Sequence, residues 1–337
     1  MLSLLKRPRR NRKTAAIRSL VRETTLTAED LVAPFFIQEG EGKRDAIATL
    51  PGVYRLSLDE LLKEVTQLHL AGIQAVAIFP VIDSSLKDPE GSLAFDANGL
   101  VLRAVRLLKK ELPDLCLITD IALDPYTSHG HDGVLDAYFN VANDPTVDRL
   151  VEMALLHAEA GVDLVAPSDM MDGRVFAIRK GLDKSGFSDV GILSYAAKYA
   201  SSLYGPFRDA LGSSLQYGDK KRYQMDPANV REALLEARLD EEEGADLLMV
   251  KPALFYLDVI ARLHAQTHLP IAAYHVSGEY AMVMAAEQLG MLRARDVFYE
   301  ALLSVKRAGA SVIFSYATPL LVLGSDCLRR DPLLTKR

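Results

Sequence analysis

The segment DIALDPYTSHGHDG, residues 120–133, places five carboxylate or imidazole side chains directly after an apolar run that is typical of a strand. They are Asp120, Asp124, His129, His131 and Asp132. Side chains of these types at the end of a strand indicate a metal site, although no cysteine stands among them. Carboxylates and water favour hard ions such as Mg²⁺, whereas thiolates favour Zn²⁺. The segment by itself leaves open which metal binds, and whether one binds at all.

Two lysines each end an apolar run: Lys198 follows ILSYAA, and Lys251 follows DLLMV. An amine at such a place loses its water, and a second ammonium nearby lowers its pKa further, because both effects disfavour the charged form. The neutral amine that results can attack a ketone and form a Schiff base. For either lysine alone, an ion pair with an aspartate or a contact with a substrate phosphate is the alternative. Two such lysines on adjacent strands favour catalysis.

The segment between the lysines, residues 199–227, is rich in Gly, Ser and Tyr and lacks a long helical period. Long irregular loops above an active site are often lids. Its cations are Arg208, Lys220, Lys221 and Arg222, and after closure they can clamp a substrate carboxylate. A solvated loop with ordinary surface charge is the alternative. The position of the segment between the two lysines favours the lid.

These side chains must be positioned by the elements around them, and eight apolar runs alternate with helical patterns along the chain. Each run is nearly continuous in apolar residues, as in a parallel strand that is buried on both faces. The predicted strands are residues 31–38, 75–81, 115–123, 162–168, 191–198, 245–252, 269–277 and 311–317. The alternation predicts an α/β fold, a single (β/α)8 TIM barrel, whose chemistry lies at the C-terminal ends of its strands. An open doubly wound sheet is the rival, but its usual Gly-rich turn after the first strand is not present.

Three helical segments carry start and stop signals. Residues 57–72 begin with a Ser cap, and residues 144–161 and 226–244 begin with Asp followed by Pro. All three segments end at Gly.

The composition excludes several classes of protein. Of the 337 residues, 49% are apolar and 25% are charged, as in ordinary globular domains. The net charge of -6 gives no overall attraction to nucleic acid or to an anionic membrane. No apolar run reaches the ~18 residues of a membrane span. The two cysteines, Cys116 and Cys327, make no disulfide framework, which fits a reducing, cytoplasmic setting.

Residues 1–24 are predicted to form an N-terminal arm, followed by a barrel domain at residues 25–337. Eight basic residues lie between positions 6 and 22, and the first acid is Glu23. A transit peptide, a nucleic-acid arm or an arm that packs on a neighbouring subunit would each fit this pattern. The scarcity of Ser and Thr favours the subunit arm.

Several blocks of the sequence resemble the porphobilinogen synthase family, also called the 5-aminolevulinate dehydratases. GADLLMVKPALFY, residues 244–256, is similar to the signature around the Schiff-base lysine of that family. SYAAKYASSLYGPFRDA, APSDMMDGRV, YHVSGEY and YQMDP resemble further blocks, and RPRRNRKTAAIRSLVRET resembles the N-terminal arm. The resemblance covers residues 7–316. The C-terminal tail departs from the pattern, which leaves the docking of the last helix open.

The resemblance implies that two 5-aminolevulinate molecules condense, with loss of two waters, to porphobilinogen for haem and tetrapyrrole synthesis. It implies that Lys251 binds the ketone of the first substrate and Lys198 that of the second. The other contacts that it implies are Ser277 and Tyr316 for the first carboxylate, Arg208, Lys220 and Gln224 for the second, and Asp120 and Ser168 beside the amino group that becomes the pyrrole nitrogen. Arginine is frequent at the place of Lys220, so the lysine keeps the charge but loses the bidentate fork.

The resemblance also carries expectations for metals and assembly. In zinc-dependent members three cysteines occupy the places of Ala122, Asp124 and Asp132, so a zinc-independent, aspartate-rich type without tightly bound zinc is expected. Asp124 and Asp132 then hold a hydrated magnesium, a monovalent ion, or the substrate amine without any metal. The two histidines are interpreted as loop residues near the site. Glu236 matches the allosteric magnesium ligand of the family, and a homo-octamer joined through the basic arms is implied; no organic cofactor is expected.

Two other functions remain in view. A class I aldolase-like barrel would use one Schiff-base lysine on a phosphorylated sugar and would have a phosphate-binding Gly loop after strand seven or eight. HVSGEY and SYATPL supply no Gly-rich turn. A barrel that has lost catalysis and acts as a scaffold would be indicated by the loss of either lysine or of the lid cations, and all of them are present.

Overall fold

The computed structural model describes residues 4–213 and 215–323. Ten strands run through these residues: β1 (Leu31–Ile37), β2 (Arg44–Ala46), β3 (Tyr54–Leu56), β4 (Ala75–Pro80), β5 (Cys116–Ile121), β6 (Leu164–Pro167), β7 (Gly191–Lys198), β8 (Leu247–Lys251), β9 (Ile271–His275) and β10 (Val312–Ser315). Strand β1 and strands β4 to β10 pair in parallel in chain order, and β10 closes on β1. The predicted (β/α)8 barrel is therefore confirmed.

The helices surround the barrel and connect its strands. They are α1 (Ala15–Leu20), α2 (Leu58–Leu70), α3 (Leu100–Glu111), α4 (Asn143–Ala160), α5 (Arg174–Lys184), α6 (Gly205–Leu211), α7 (Val230–Glu242), α8 (Leu257–His264), α9 (Ser277–Gln288), α10 (Ala294–Ala308) and α11 (Thr318–Val322). The strands are buried on both faces as their apolar runs predicted: all seven residues of β1 and seven of the eight in β7 are buried.

The stop signals of the three predicted helices are confirmed, whereas only the first of their start signals lies at the predicted position. Gly72, Gly161 and Gly244 all have a positive φ, between 99° and 103°, a conformation that favours glycine and ends a helix. Ser57 lies at the N-cap of α2, yet its hydroxyl donates to Asp59 and accepts from the Lys43 backbone N–H. The predicted N-cap position of Ser57 is therefore confirmed, although its side chain makes no hydrogen bond to the backbone of α2.

Both predicted Asp caps are wrong. Helix α4 begins at Asn143, so Asp144 lies inside its first turn rather than before it. Helix α7 begins at Val230, and Asp226 instead accepts the Ala228 N–H within the preceding loop. Short polar side chains bind local backbone groups in several geometries, so tertiary contacts decide which geometry forms.

A hairpin that the sequence did not predict, β2 and β3, lies beside β1 and supports the lid. Strand β3 pairs with β1, and the Arg55 guanidinium on β3 donates to the carbonyls of Asp209 and Ala210 at the end of α6. Two strands of three residues each, mostly exposed or half-exposed, give no hydrophobic alternation for a sequence to show.

The N-terminal arm contains a short 3-10 helix, Pro8–Arg12, and helix α1, and neither buries a residue within this chain. No helix of residues 4–213 and 215–323 is long and apolar enough to cross a membrane. The cytoplasmic setting and the arm boundary at residue 24 stay predictions. The docking of the C-terminal tail and Cys327 lie outside the described residues.

Candidate active site

The two lysines lie side by side at the mouth of the barrel. Lys198 ends β7, Lys251 ends β8, and the parallel register pairs the two residues directly. Each is 6% exposed. Neighbours in register project to the same face of a sheet, so the two side chains leave their strands on the same side.

Lys251 lies in an aromatic pocket. Its Nζ is 4.5 Å from the ring centre of Tyr274 and between 5.0 and 5.3 Å from those of Phe207, Tyr195 and Tyr204. Burial, and after it the Lys198 ammonium, lower the pKa of Lys251, the nearby aspartates oppose them, and the net pKa is about 7. The amine is thus substantially neutral near pH 7 and can act as a nucleophile.

Lys198 has a different environment from Lys251. Its Nζ is 3.4 Å from Asp132 Oδ2 and donates a hydrogen bond to the Ser168 carbonyl. The ion pair that the sequence offered as an alternative to catalysis is therefore present for Lys198. An amine that is held by a carboxylate must first transfer its proton before it can attack a carbonyl carbon.

Asp120 is the penultimate residue of β5 and interacts electrostatically with both lysines. The residue as a whole is partly exposed, but its Oδ1 is buried and has no hydrogen-bond partner among the described residues. Burial, and after it the neighbouring Asp124 carboxylate, raise the pKa of Asp120, Lys198 and the Ser168 hydroxyl oppose them, and the net pKa is about 7. A carboxyl group that titrates near pH 7 is suited to accept or deliver a proton.

Asp124 and Asp132 bind a lid cation. The ammonium of Lys220 is 3.1 Å from Asp124 Oδ2 and 2.5 Å from Asp132 Oδ1. Burial by itself would raise the pKa of Asp132, but Lys198 and Lys220 outweigh it and lower the pKa to about 2. Burial would likewise lower the pKa of Lys220, and the two carboxylates outweigh it, so that this pKa is raised. Asp132 and Lys220 are therefore both charged.

The two histidines of the opening segment are buried, and both hold neighbouring loops. His131 Nε2 is 2.9 Å from the Tyr217 carbonyl and must donate to it, so Nδ1 accepts from the Tyr223 hydroxyl at 3.0 Å. His129 Nδ1 accepts from the His131 backbone N–H at 3.1 Å. The described residues contain no group of three or more His, Cys, Asp or Glu that could hold a metal ion.

The lid lies closed over the mouth, and its root is tightly packed. Ser277, at the start of α9, accepts from the Phe207 N–H at 3.0 Å and donates to the Leu203 carbonyl at 3.2 Å. A Cβ at Gly278 would lie 2.5 Å from that Leu203 carbonyl, so a glycine permits the close approach. Arg208, on α6, is half-buried.

The remaining expected contacts lie at two places. Tyr316 and Gln224 are 4% exposed, and the Tyr316 hydroxyl is 3.1 Å from that of Tyr274, in the pocket of Lys251. Glu236 lies apart from the lysines, on α7. It is half-exposed and lines a cavity of 640 Å³ that extends to the lid residues Tyr223 and Gln224.

Sequence reasoning missed Glu279 and the aromatic pocket. The Glu279 carboxylate is fully buried and accepts the backbone N–H groups of Leu254 and Val276, at 2.7 and 2.8 Å. It therefore joins the turn after Lys251 to the turn before Ser277. The only sign of Glu279 in the sequence is a glutamate among small and polar residues, which is a weak signal for a buried carboxylate. Tyrosines and phenylalanines at strand ends give no signal that separates them from ordinary core residues.

Comparison with known proteins agrees with this geometry. The family described as Delta-aminolevulinic acid dehydratase matches residues 5–322. A relative from Chlamydia pneumoniae with that description is 55% identical over 95% of this chain and 96% of its own length, and one from Bradyrhizobium diazoefficiens is 53% identical over 94% and 90%. A crystal structure of the Toxoplasma gondii ME49 enzyme in complex with the reaction product porphobilinogen superposes with a TM-score of 0.92. It is 49% identical and covers 94% of this chain and 91% of the other.

Proposed function

The chain belongs to the delta-aminolevulinic acid dehydratase family, and we propose how its residues share the work of that enzyme. The activity is that of a porphobilinogen synthase, a lyase of porphyrin and haem synthesis that joins two 5-aminolevulinate molecules with loss of two waters. The observation that carries the division of roles is the pair of buried lysines in direct register at the mouth of the barrel.

Lys251 and Lys198 each form a Schiff base with the ketone of one substrate. Each condensation releases one water, which accounts for the two waters that are lost. The carbon–carbon bond then forms at one imine carbon and the carbon–nitrogen bond at the other, and these bonds displace the two lysine nitrogens as free amines. Lys251 reacts first, because its amine is substantially neutral near pH 7 whereas Lys198 is paired with Asp132.

Asp120 exchanges protons with the substrate amino group that becomes the pyrrole nitrogen. Its unpartnered Oδ1 is a buried acceptor, and an amino group supplies the missing donor. Ser168, whose hydroxyl lowers the pKa of Asp120, contacts the same amino group. We assign the first carboxylate to Ser277 and Tyr316 beside Lys251, and the second to Arg208 and Gln224 of the lid.

The direct test of the activity is incubation of the full chain with 5-aminolevulinate, followed by an assay for the pyrrole. Borohydride added with the substrate is expected to reduce the imines and leave a covalent adduct on Lys251, and under some conditions on Lys198. Peptide mapping identifies the modified residue, and borohydride without substrate is the control. Full inactivation with both lysines unmodified would contradict the Schiff-base mechanism.

We propose that Mg²⁺ acts at Glu236 as an allosteric activator. Glu236 is half-exposed and lines the 640 Å³ cavity together with Glu232 and Asp172, and the same cavity reaches the lid. The pKa of Glu236 is raised, chiefly by burial, so a neighbouring cation would stabilise its charged form. With no closed set of three ligands among the described residues, the ion would keep several waters, as Mg²⁺ usually does.

Glu236→Ala is expected to abolish stimulation by magnesium while leaving activity in its absence, because the ligand that links the ion to α7 is lost. Rates measured with and without Mg²⁺ check this. Glu242→Ala, on an exposed position of the same helix, is the matched control. Equal stimulation of the two variants would contradict the assignment.

We propose that the N-terminal arm joins subunits of a homo-oligomer, in keeping with the octamer that the family resemblance implies. Within a single chain Leu5 is 94% exposed and Leu20 is 84% exposed, so the apolar side chains of the arm lack cover from their own barrel. Deleting residues 1–22 should lower the assembly state and the activity together, as measured by light scattering and turnover. An unchanged oligomer with unchanged activity would rule out this role.

A further inference from the structure

Lys220 is the one lid cation for which the structure gives contacts with acidic side chains of the site. Of the four cations in residues 199–213 and 215–227, Lys221 and Arg222 are exposed and Arg208 is half-buried, whereas Lys220 is only 9% exposed. Its ammonium bridges Asp124 and Asp132, which lie on the loop after β5. Asp132 and Lys220 are 88 residues apart in the chain, so this contact exists only while the lid covers the site.

The bridge occupies the oxygens that a metal ion would need. Asp132 faces an ammonium at each oxygen, Lys220 at Oδ1 and Lys198 at Oδ2. The Asp124 Oδ2 contacts the same Lys220 ammonium. A divalent cation between these carboxylates would meet two ammonium groups at close range, and the repulsion between them is strong in a buried site. The donors therefore do not fit a metal ion while the lid is closed.

The backbone on both sides of Lys220 is fixed by the histidine loop. His131 binds the Tyr217 carbonyl three residues before the lysine and the Tyr223 hydroxyl three residues after it. The Gln216 N–H donates to the His129 carbonyl at 3.2 Å. The histidines that suggested a metal site in the sequence thus hold the lid, and with it the lysine that lies where the metal was expected.

We propose that Lys220 is the resident cation of this site, an ammonium that enters with the lid, neutralises Asp124 and Asp132, and excludes a metal ion. This rests on the proposed function for its role in turnover. Because Asp132 also holds Lys198, Lys220 positions the second Schiff-base amine through that carboxylate. The substrate carboxylate of the second molecule is then left to Arg208 and Gln224.

The first test measures metal binding without substrate. Mn²⁺ is titrated into the full-length Glu236→Ala protein, which lacks the other proposed metal ligand, and bound ion is followed by electron paramagnetic resonance. Adding Lys220→Met is expected to create one new site per chain or to tighten binding at least tenfold. Lys220→Arg keeps the charge, so it should still exclude Mn²⁺ from Asp124 and Asp132. Lys221→Met, at an exposed lysine, is the control.

Two outcomes would overturn the proposal. One is that Lys220→Met, folded by circular dichroism, binds no more Mn²⁺ than Lys221→Met does. The other requires no Lys220 variant: the Glu236→Ala protein already binds Mn²⁺ and loses it with Asp132→Asn. Both readouts are independent of turnover, so they separate this proposal from the proposed function, which fails instead when no pyrrole forms.

The second test follows the position of Lys198. In Lys220→Met, the yield of the borohydride adduct with 5-aminolevulinate is expected to decrease at Lys198 and to persist at Lys251. Lys220→Arg should restore the Lys198 adduct. A purely structural role would reduce both adducts equally, and that result would contradict the positioning of Lys198 by Lys220.

Discussion

Lys251→Met is expected to lower kcat by about 10⁴-fold or more, a loss typical of removing a catalytic nucleophile. The physical reason is that the desolvated Lys251 amine, with a pKa of about 7, is the group that is ready to attack a ketone. Methionine keeps an apolar stem of similar length among Tyr274, Phe207 and the other rings, so the pocket stays filled. The measurements are turnover of 5-aminolevulinate and the circular-dichroism spectrum.

The same substitution at an exposed lysine gives the matched control. Lys221→Met removes a charge and the same number of donors without entering the pocket, and it is expected to keep its Schiff-base chemistry at Lys251. A Lys251→Met protein that loses its folded spectrum together with its activity would support a structural role for the lysine. Undiminished turnover in a folded Lys251→Met protein would exclude Lys251 as the nucleophile.

The fold was predictable because burial on both faces leaves a strong local signal. Each barrel strand is a nearly continuous apolar run, and the eight predicted runs coincide with strands β1 and β4 to β10 with end shifts of a few residues. The local sequence pattern could not predict which of several possible polar contacts a side chain makes. Ser57, for example, lies at the N-cap of α2, but its hydroxyl binds Asp59, its near neighbour in the chain, and the Lys43 N–H, which the fold brings to it.

The candidate site was predictable where a topological rule applies. Lys198 and Lys251 end barrel strands and Asp120 lies one residue before the end of β5, and a barrel brings such ends together whatever the intervening sequence is. The partners of Lys220 were not predictable in this way, because a loop can place its cations at many points above the mouth. In the closed lid Lys220 contacts Asp124 and Asp132.

Asp120→Asn is expected to lower kcat by about 10²- to 10⁴-fold, the usual contribution of a positioned proton-transfer group. The amide keeps the size of the side chain but cannot take a proton, and the Oδ1 position keeps an atom where the substrate amino group is expected to bind. Turnover at saturating 5-aminolevulinate measures the effect. Asp209→Asn, at an exposed position of the lid, is the conservative control.

The same variant makes a second, sharper prediction about pH. Lys251 is neutral above its pKa of about 7 and charged below it, so its reactivity rises as the pH rises through this value. The Asp120 carboxylate favours the charged ammonium, whereas the Lys198 ammonium opposes it. Asp120→Asn should therefore move the midpoint of Lys251 trapping to lower pH, and Lys198→Met should move it to higher pH, each by roughly one pH unit.

Trapping at Lys251 needs only one substrate molecule, so it can be followed in variants that no longer complete the condensation. Borohydride adducts at Lys251 are quantified by peptide mapping after a short exposure at each pH, with Lys221→Met expected to keep the midpoint of the unmodified protein. Shifts in the same direction, or no shift in either variant, would show that Asp120 and Lys198 do not set the charge of Lys251. Opposite shifts require both groups to act on that amine, because a general distortion of the mouth would expose Lys251 to water and raise its pKa in both variants.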